Sequence, residues 1–118
     1  MNQPFHRVAL VTGSTSGIGA AIARRLARDG VTVAPHSRVS VAVGTALAEE
    51  LGRASYTQAD LSEATSARRL IDEVRSKHGR LDILVNNAAI TQVIPHAELK
   101  RATADVWRRL YEVNVVTP

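Results

Sequence analysis

The chain has 118 residues, enough for one domain and too few for two. Apolar residues make up 45 %, aromatics only 3 %, and the formal net charge is +4 with no cysteine anywhere. A core can form on that composition, while a disulfide framework, a thiolate metal site and a cysteine nucleophile are excluded.

Met1 to Arg7 carries no apolar leader core, and the run Val8 to Val11 is far too short to span a bilayer. A cytoplasmic protein with no membrane contact is the expectation. Arg7 to Val11 reads as a short buried strand that ends at a glycine-rich turn. Gly17 to Asp29 then places Ile18, Ala21, Ile22 and Leu26 at helical spacing, and Gly30 stops the helix. Val31 to Ala34 is a second strand, with Pro35 expected at or just past its end because proline cannot donate to a ladder. Ser40 is a plausible N-cap for a helix with Val43, Leu47 and Leu51 on one face, closed by Gly52. Ala54 to Gln58 is a weaker third strand.

Ser62 can cap the next helix, with Glu63 in its first turn near the positive dipole end. Ala67, Leu70, Ile71 and Val74 form its buried stripe, and Gly79 ends it. Leu81 to Val85 is the fourth strand. Thr103 can cap a last helix, in which Trp107 is read as core. Strict alternation of apolar strands and helices predicts a parallel sheet covered on both faces, wound by right-handed crossovers. The whole span 1–118 reads as one domain with no linker or repeat.

The turn Thr12-Gly13-Ser14-Thr15-Ser16-Gly17-Ile18-Gly19 has a mechanical purpose. Gly13 lets the chain leave the strand sharply. Gly17 removes a side chain where backbone would meet a pyrophosphate, and Gly19 lets the helix pack close to the sheet. The helix N-terminus then offers free N–H groups to phosphates, with hydroxyls of Ser14, Thr15 and Ser16 as added donors. A triphosphate loop is excluded, because no Gly-Lys-Ser/Thr follows.

The basic charge invites a nucleic-acid reading. Its distribution argues otherwise, since Arg24, Arg25, Arg28, Arg68, Arg69, Arg75, Arg108 and Arg109 fall on several helices beside acidic residues. Solvated helix faces are the expectation, with no nucleic-acid partner. His6, His36, His78 and His96 show no metal spacing and are read as surface or loop residues.

Thr12-Gly13-x-x-x-Gly17-Ile18-Gly19 resembles the cofactor motif of the short-chain dehydrogenase/reductase family. Three later segments agree in order and spacing: Asp60-Leu61, Asn86-Asn87-Ala88-Ala89, and Asn114. The general look is that of its 3-oxoacyl-carrier-protein reductase-like members. The resemblance runs from Arg7 onward. It implies a Rossmann-type doubly wound sheet of order 3-2-1-4, with further strands to follow, and a nicotinamide cofactor. Gly13 to Ile18 would hold the pyrophosphate and adenine ribose. Asp60 would accept from the adenine amino group, and the Leu61 backbone would touch the ring. Asn87, Ala88 and Ala89 would let the cofactor ribose approach, although the family usually has glycine where Ala89 stands.

After the second strand the chain reads His36-Ser37-Arg38, without the acid that holds ribose hydroxyls in an NAD site. A guanidinium suits the 2′-phosphate of NADP, and Ser37 can donate to it. NADP is therefore expected over NAD. By the same resemblance Asn114 is a catalytic asparagine that positions a water. The family's tyrosine and lysine, spaced Tyr-x-x-x-Lys, are absent. Tyr56 and Tyr111 are followed four residues on by Asp60 and Val115, and the only lysines are Lys77 and Lys100. The implied whole is an NADP(H)-dependent oxidoreductase acting on a small carbonyl or alcohol, homo-oligomeric when complete, of which this chain is the cofactor half. The alternative is a non-catalytic nucleotide-binding remnant. An open edge at Ile83, Leu84 and Val85 is expected to leave the isolated chain marginal or prone to self-association.

Overall fold

The computed structural model describes residues 6–63, 65–90 and 92–118. Most of the segment read above as lacking a leader core, residues 1–5, lies outside the described residues. The elements in order are β1 (Val8–Val11), α1 (Gly17–Arg28), β2 (Thr32–Ser37), α2 (Val41–Leu51), β3 (Thr57–Gln58), α3 (Ser66–His78), β4 (Ile83–Val85) and α4 (Ala104–Tyr111). A 3₁₀ segment, His96–Arg101, precedes α4, and a π-helical turn, Glu112–Val116, continues it. All pairings are parallel, and the sheet order is β3-β2-β1-β4. This is the α/β architecture and the 3-2-1-4 order expected from the sequence.

The sheet is covered on both faces because neighbouring residues of each strand point to opposite sides. Val8 and Leu10 of β1 join Ala34, Ala59, Leu61, Leu70 and Val74 in one cluster, on the side of α3. Val11 and Val33 join Ala23 of α1 and Leu47 of α2 in the other. The register Val8↔Thr32 through Val11↔Pro35, and Ala9↔Ile83 through Val11↔Val85, makes β1 the buried axis of the sheet. Burying one such aliphatic side chain contributes roughly 1.5–3 kcal/mol, so these two clusters hold the layers together.

Several local expectations are corrected. Pro35 lies inside β2, paired with Val11, and not past the strand's end. Thr32 donates to Arg7 and His36 to the Ser14 hydroxyl, both on the β1 side, while the Ser37 carbonyl accepts from Ala59 on the β3 side. Alternation of backbone groups therefore turns the Pro35 nitrogen toward β3. That side has only a two-residue strand and an isolated bridge, Val33↔Ala54, so a missing donor interrupts no continuous ladder. Ser62 does not cap α3, whose N-cap is Thr65; Ser62 is bound instead to Asp60. Val43 is exposed on α2, and Gly44 is buried in its place against Tyr56.

Thr103 caps α4 as expected, its hydroxyl accepting from the Val106 N–H. Trp107, read as core, is 68 % exposed. It stands on a helix of which no residue is fully buried, Val106 and Leu110 being half-buried. Leu84 is 47 % exposed because β4 pairs with β1 on one side and with no described strand on the other. No helix among the described residues is long and apolar enough to cross a membrane.

Candidate functional site

The ends of the strands open into a cleft of about 380 Å³. Gly13, Thr15 and Ser16 line it from the loop after β1. Ser37 at the end of β2 and Arg38 and Ser40 after it line it next, with Asp60 and Leu61 after β3. Asn87, Ala88 and Ala89 close it after β4, and Val113 of the π turn forms one wall. Ligands of open parallel sheets sit at this end, where neighbouring crossovers leave to opposite faces.

The floor of the cleft is a bonded joint between the first and fourth loops. The Thr12 hydroxyl accepts from the N–H groups of Asn87 at 3.1 Å and Ala88 at 3.0 Å. The Asn87 side-chain amide donates back to the carbonyls of Thr12 at 3.1 Å and Gly13 at 3.0 Å. Gly13 adopts φ +62°, and a Cβ there would lie 2.9 Å from the Ala88 Cα. A side chain at this position would meet both a strained backbone and its neighbour. A Cβ on Gly19 would lie 2.4 Å from the Gly13 carbonyl oxygen and 2.5 Å from Asn87 Nδ2. Gly19 thus makes room for the loop joint; the expected close approach is to the turn rather than to the sheet.

The other wall of the turn rests on His36, only 2 % exposed. Its Nδ1 accepts from the Gly13 N–H at 3.0 Å, and its Nε2 lies 2.9 Å from the Ala59 carbonyl. A carbonyl cannot donate, so Nε2 carries the proton and the ring is in one neutral tautomer. Burial pushes its pKa below the usual histidine value, outweighing the bond to Ala59. The surface-or-loop reading of this histidine is therefore wrong. Its burial follows from its place inside β2, where residues on both faces are covered.

Ser14, expected to offer a hydroxyl to a ligand, is fully buried. Its hydroxyl accepts from the His36 N–H at 2.9 Å, and its own N–H donates to the His36 carbonyl. Gly17, Ile18 and Gly19 are not among the cleft-lining residues, and Ile18 is exposed. The Ser37 hydroxyl accepts from the Ser40 N–H at 3.1 Å and is bonded to the Tyr56 hydroxyl. Arg38 is exposed at the rim, and no hydrogen bond or ion pair among the described residues engages its guanidinium.

Asp60 Oδ1 accepts from both the hydroxyl and the N–H of Ser62, at 2.7 and 3.0 Å. Those bonds, helped by the positive fields of Arg38 and Arg109, hold its carboxyl below the usual carboxylate range. Asp60 is thus an anion at the cleft edge with Oδ2 outside that turn. Asn114 does not line the cleft. Its side chain accepts from the Ile90 N–H and donates to the Ile90 carbonyl, both at 2.9 Å, bracing the fourth loop against the π turn.

Sequence reasoning missed Thr12 and His36. For Thr12 a signal existed, a hydroxyl directly before the glycine turn. For His36 none did, because its partners lie 23 residues away on either side in sequence.

The profile of the short chain dehydrogenase family matches residues 7–118. A Streptomyces violaceoruber protein carrying the name granaticin polyketide synthase ketoacyl reductase 2 is 51 % identical over 113 residues, which are 96 % of this chain and 45 % of that protein. The chain thus spans about half the length of that relative. The Bacillus subtilis short-chain dehydrogenase/reductase homolog YusS is 39 % identical over 106 residues, 86 % of this chain and 97 % of its own length. A crystal structure of a short chain dehydrogenase from Burkholderia cenocepacia in complex with NADP superposes with a TM-score of 0.86 at 39 % identity, covering 94 % of this chain and 46 % of that one. A profile match over nearly every residue, joined to that identity and that superposition, means that the chain belongs to the short chain dehydrogenase family of oxidoreductases.

Proposed function

We propose that this chain is the NADP(H)-holding part of an oxidoreductase that interconverts a small carbonyl compound and its alcohol. The observation that carries the reading is the cleft itself, in which the glycine turn, Arg38 and Asp60 face one volume. Its donor set fits a dinucleotide. The turn and the α1 N-terminus supply N–H groups for a pyrophosphate. Thr15 and Ser16 add hydroxyls at the same wall. The Burkholderia neighbour, similar over 94 % of this chain, holds NADP.

Each residue would have a distinct role. Gly13, Thr15, Ser16 and the first turn of α1, Gly17 to Gly19, would hold the pyrophosphate, with Ser14 anchoring the loop from beneath. Arg38 would pair with the 2′-phosphate, being a cation whose guanidinium makes no hydrogen bond or ion pair among the described residues. Ser37 would help through its hydroxyl, which accepts from the Ser40 N–H and is bonded to the Tyr56 hydroxyl beside Arg38. Asp60 and Leu61 would receive the adenine, and Asn87, Ala88 and Ala89 the nicotinamide-side ribose. The bound coenzyme would supply the hydride. Asn114 would serve catalysis by fixing the Ile90 loop at the mouth of the cleft.

A second reading has its own support. No Tyr-x-x-x-Lys occurs in residues 1–118, and YusS matches this chain along 97 % of its own length. A nucleotide-binding protein without carbonyl chemistry fits those two facts. Titration with NADPH and NADH, followed by turnover with a carbonyl panel, tests both. NADPH binding in the micromolar range with turnover supports the first, and binding alone the second. A folded protein that ignores millimolar NADPH overturns both.

A further inference from the structure

The His36 ring joins the two halves of the cleft. It reaches the backbone of Gly13 in the first loop with Nδ1 and that of Ala59, one residue before Asp60, with Nε2. The same residue pairs its own N–H and C=O with Ser14. We infer that His36 is a positioning residue, a single-tautomer latch that sets the glycine turn for dinucleotide capture and releases it when the ring is protonated. The inference rests on the coenzyme reading for its ligand and on the two ring contacts for its mechanism.

The geometry dictates the direction. A protonated imidazole carries a hydrogen on both nitrogens. Nδ1–H would then face the Gly13 N–H, donor against donor, and the bond that holds the turn to the ring would be lost. The Nε2–H bond to Ala59 survives protonation, so the strain falls on the glycine turn alone. The charged groups sharing the cleft with the ring are Arg38, from the end of its own strand, and Asp60, from the β3 side. The residues that line the cleft from the first loop, the fourth loop and the π turn are uncharged. Arg38 disfavours the imidazolium and Asp60 favours it, with neither hydrogen-bonded to the ring. Burial, which keeps the ring neutral near pH 7, is consistent with a latch closed under those conditions.

The alternative outcome is physically distinct. If the turn tolerated the extra proton, an imidazolium beneath a pyrophosphate would attract it, and acid would tighten binding. His36→Asn separates the two, since an amide oxygen at the δ position can still accept from Gly13 but does not titrate. NADPH and NADH affinities are measured from pH 8 to pH 5 for both proteins, so that titration of the 2′-phosphate cancels in the comparison. Ring ¹⁵N and Gly13 amide resonances are followed over the same range without coenzyme. The latch predicts a neutral Nε2–H ring at pH 8 whose titration moves the Gly13 amide. One pH unit below that titration, the wild type loses roughly tenfold more affinity than His36→Asn, the fraction left latched being about one-tenth. Equal pH profiles, tighter binding in acid by the wild type, or a Gly13 amide blind to the ring titration would each overturn it. Absence of NADPH binding by both proteins at pH 8 would sink the coenzyme reading, and the ring titration would still decide the latch.

Discussion

Asn87 Nδ2 donates to the Gly13 carbonyl at 3.0 Å, joining residues 74 positions apart. The bond holds the turn after β1 to the loop after β4, and a second bond from the same amide reaches Thr12. The cleft therefore has a floor only when β1 and β4 are paired. Cofactor site and sheet topology are one construction.

Asn87→Ala removes both donors and leaves two partly buried carbonyls without them. The expected loss is about 1–3 kcal/mol of stability, read by urea unfolding, together with weaker NADPH binding. Unchanged midpoint and affinity would show that water replaces the amide at no cost.

Gly44 lies against the Tyr56 ring, where a Cβ would sit 2.2 Å from two ring carbons. Gly44→Ala is expected to destabilise by roughly 1–3 kcal/mol through overpacking. Combined with Tyr56→Leu, the effects should be non-additive, because the smaller side chain relieves the clash. Strict additivity in a double-mutant cycle would show that the helix shifts away freely.

Arg38→Ala should weaken NADPH roughly ten- to a hundredfold, the worth of a hydrogen bond to a charged group being about 1.5–3 kcal/mol. NADH affinity should barely change. Equal affinities of the unaltered protein for the two coenzymes would remove Arg38 from its assigned role.

Acid should destabilise the fold in two separate windows. His36 has a folded pKa below 6.5, so the unfolded chain takes up the proton first and stability falls as pH drops below 6.5. Asp82 is held down to about 2 by the Arg80 side chain and by the Val8 N–H, which donates to it at 2.8 Å. Its contribution is present above 3.8 and is lost as pH falls toward 2. Urea midpoints measured against pH should show a smaller upper step in His36→Asn, where His78 still contributes, and a smaller lower step in Asp82→Asn, where Asp60 still contributes. A single step shared by both variants would contradict the assignment.

Much of this was legible in the chain. The apolar run Val8–Val11, the stripe Leu70 and Val74, and the glycine stops report local period and backbone freedom, which neighbouring residues encode. Element ends were less legible. β2 runs on through Pro35 to Ser37 because the neighbour toward which Pro35 turns is too short to need its donor. That depends on a strand some twenty residues later.

The sequence by itself determined the alternation of strands and helices and the glycine turn, which rest on periodicity and contiguous residues, and the family, which rests on a resemblance across four ordered motifs. Only the tertiary structure decided that Ser14 turns inward, that His36 is a buried two-sided ring, that Asn114 braces Ile90 and that Trp107 stays in solvent. Those facts are set by what lies across a strand or a loop, at separations where no local pattern carries information. A polar side chain takes the partner that the packed sheet brings within three ångströms, whatever its neighbours in the chain.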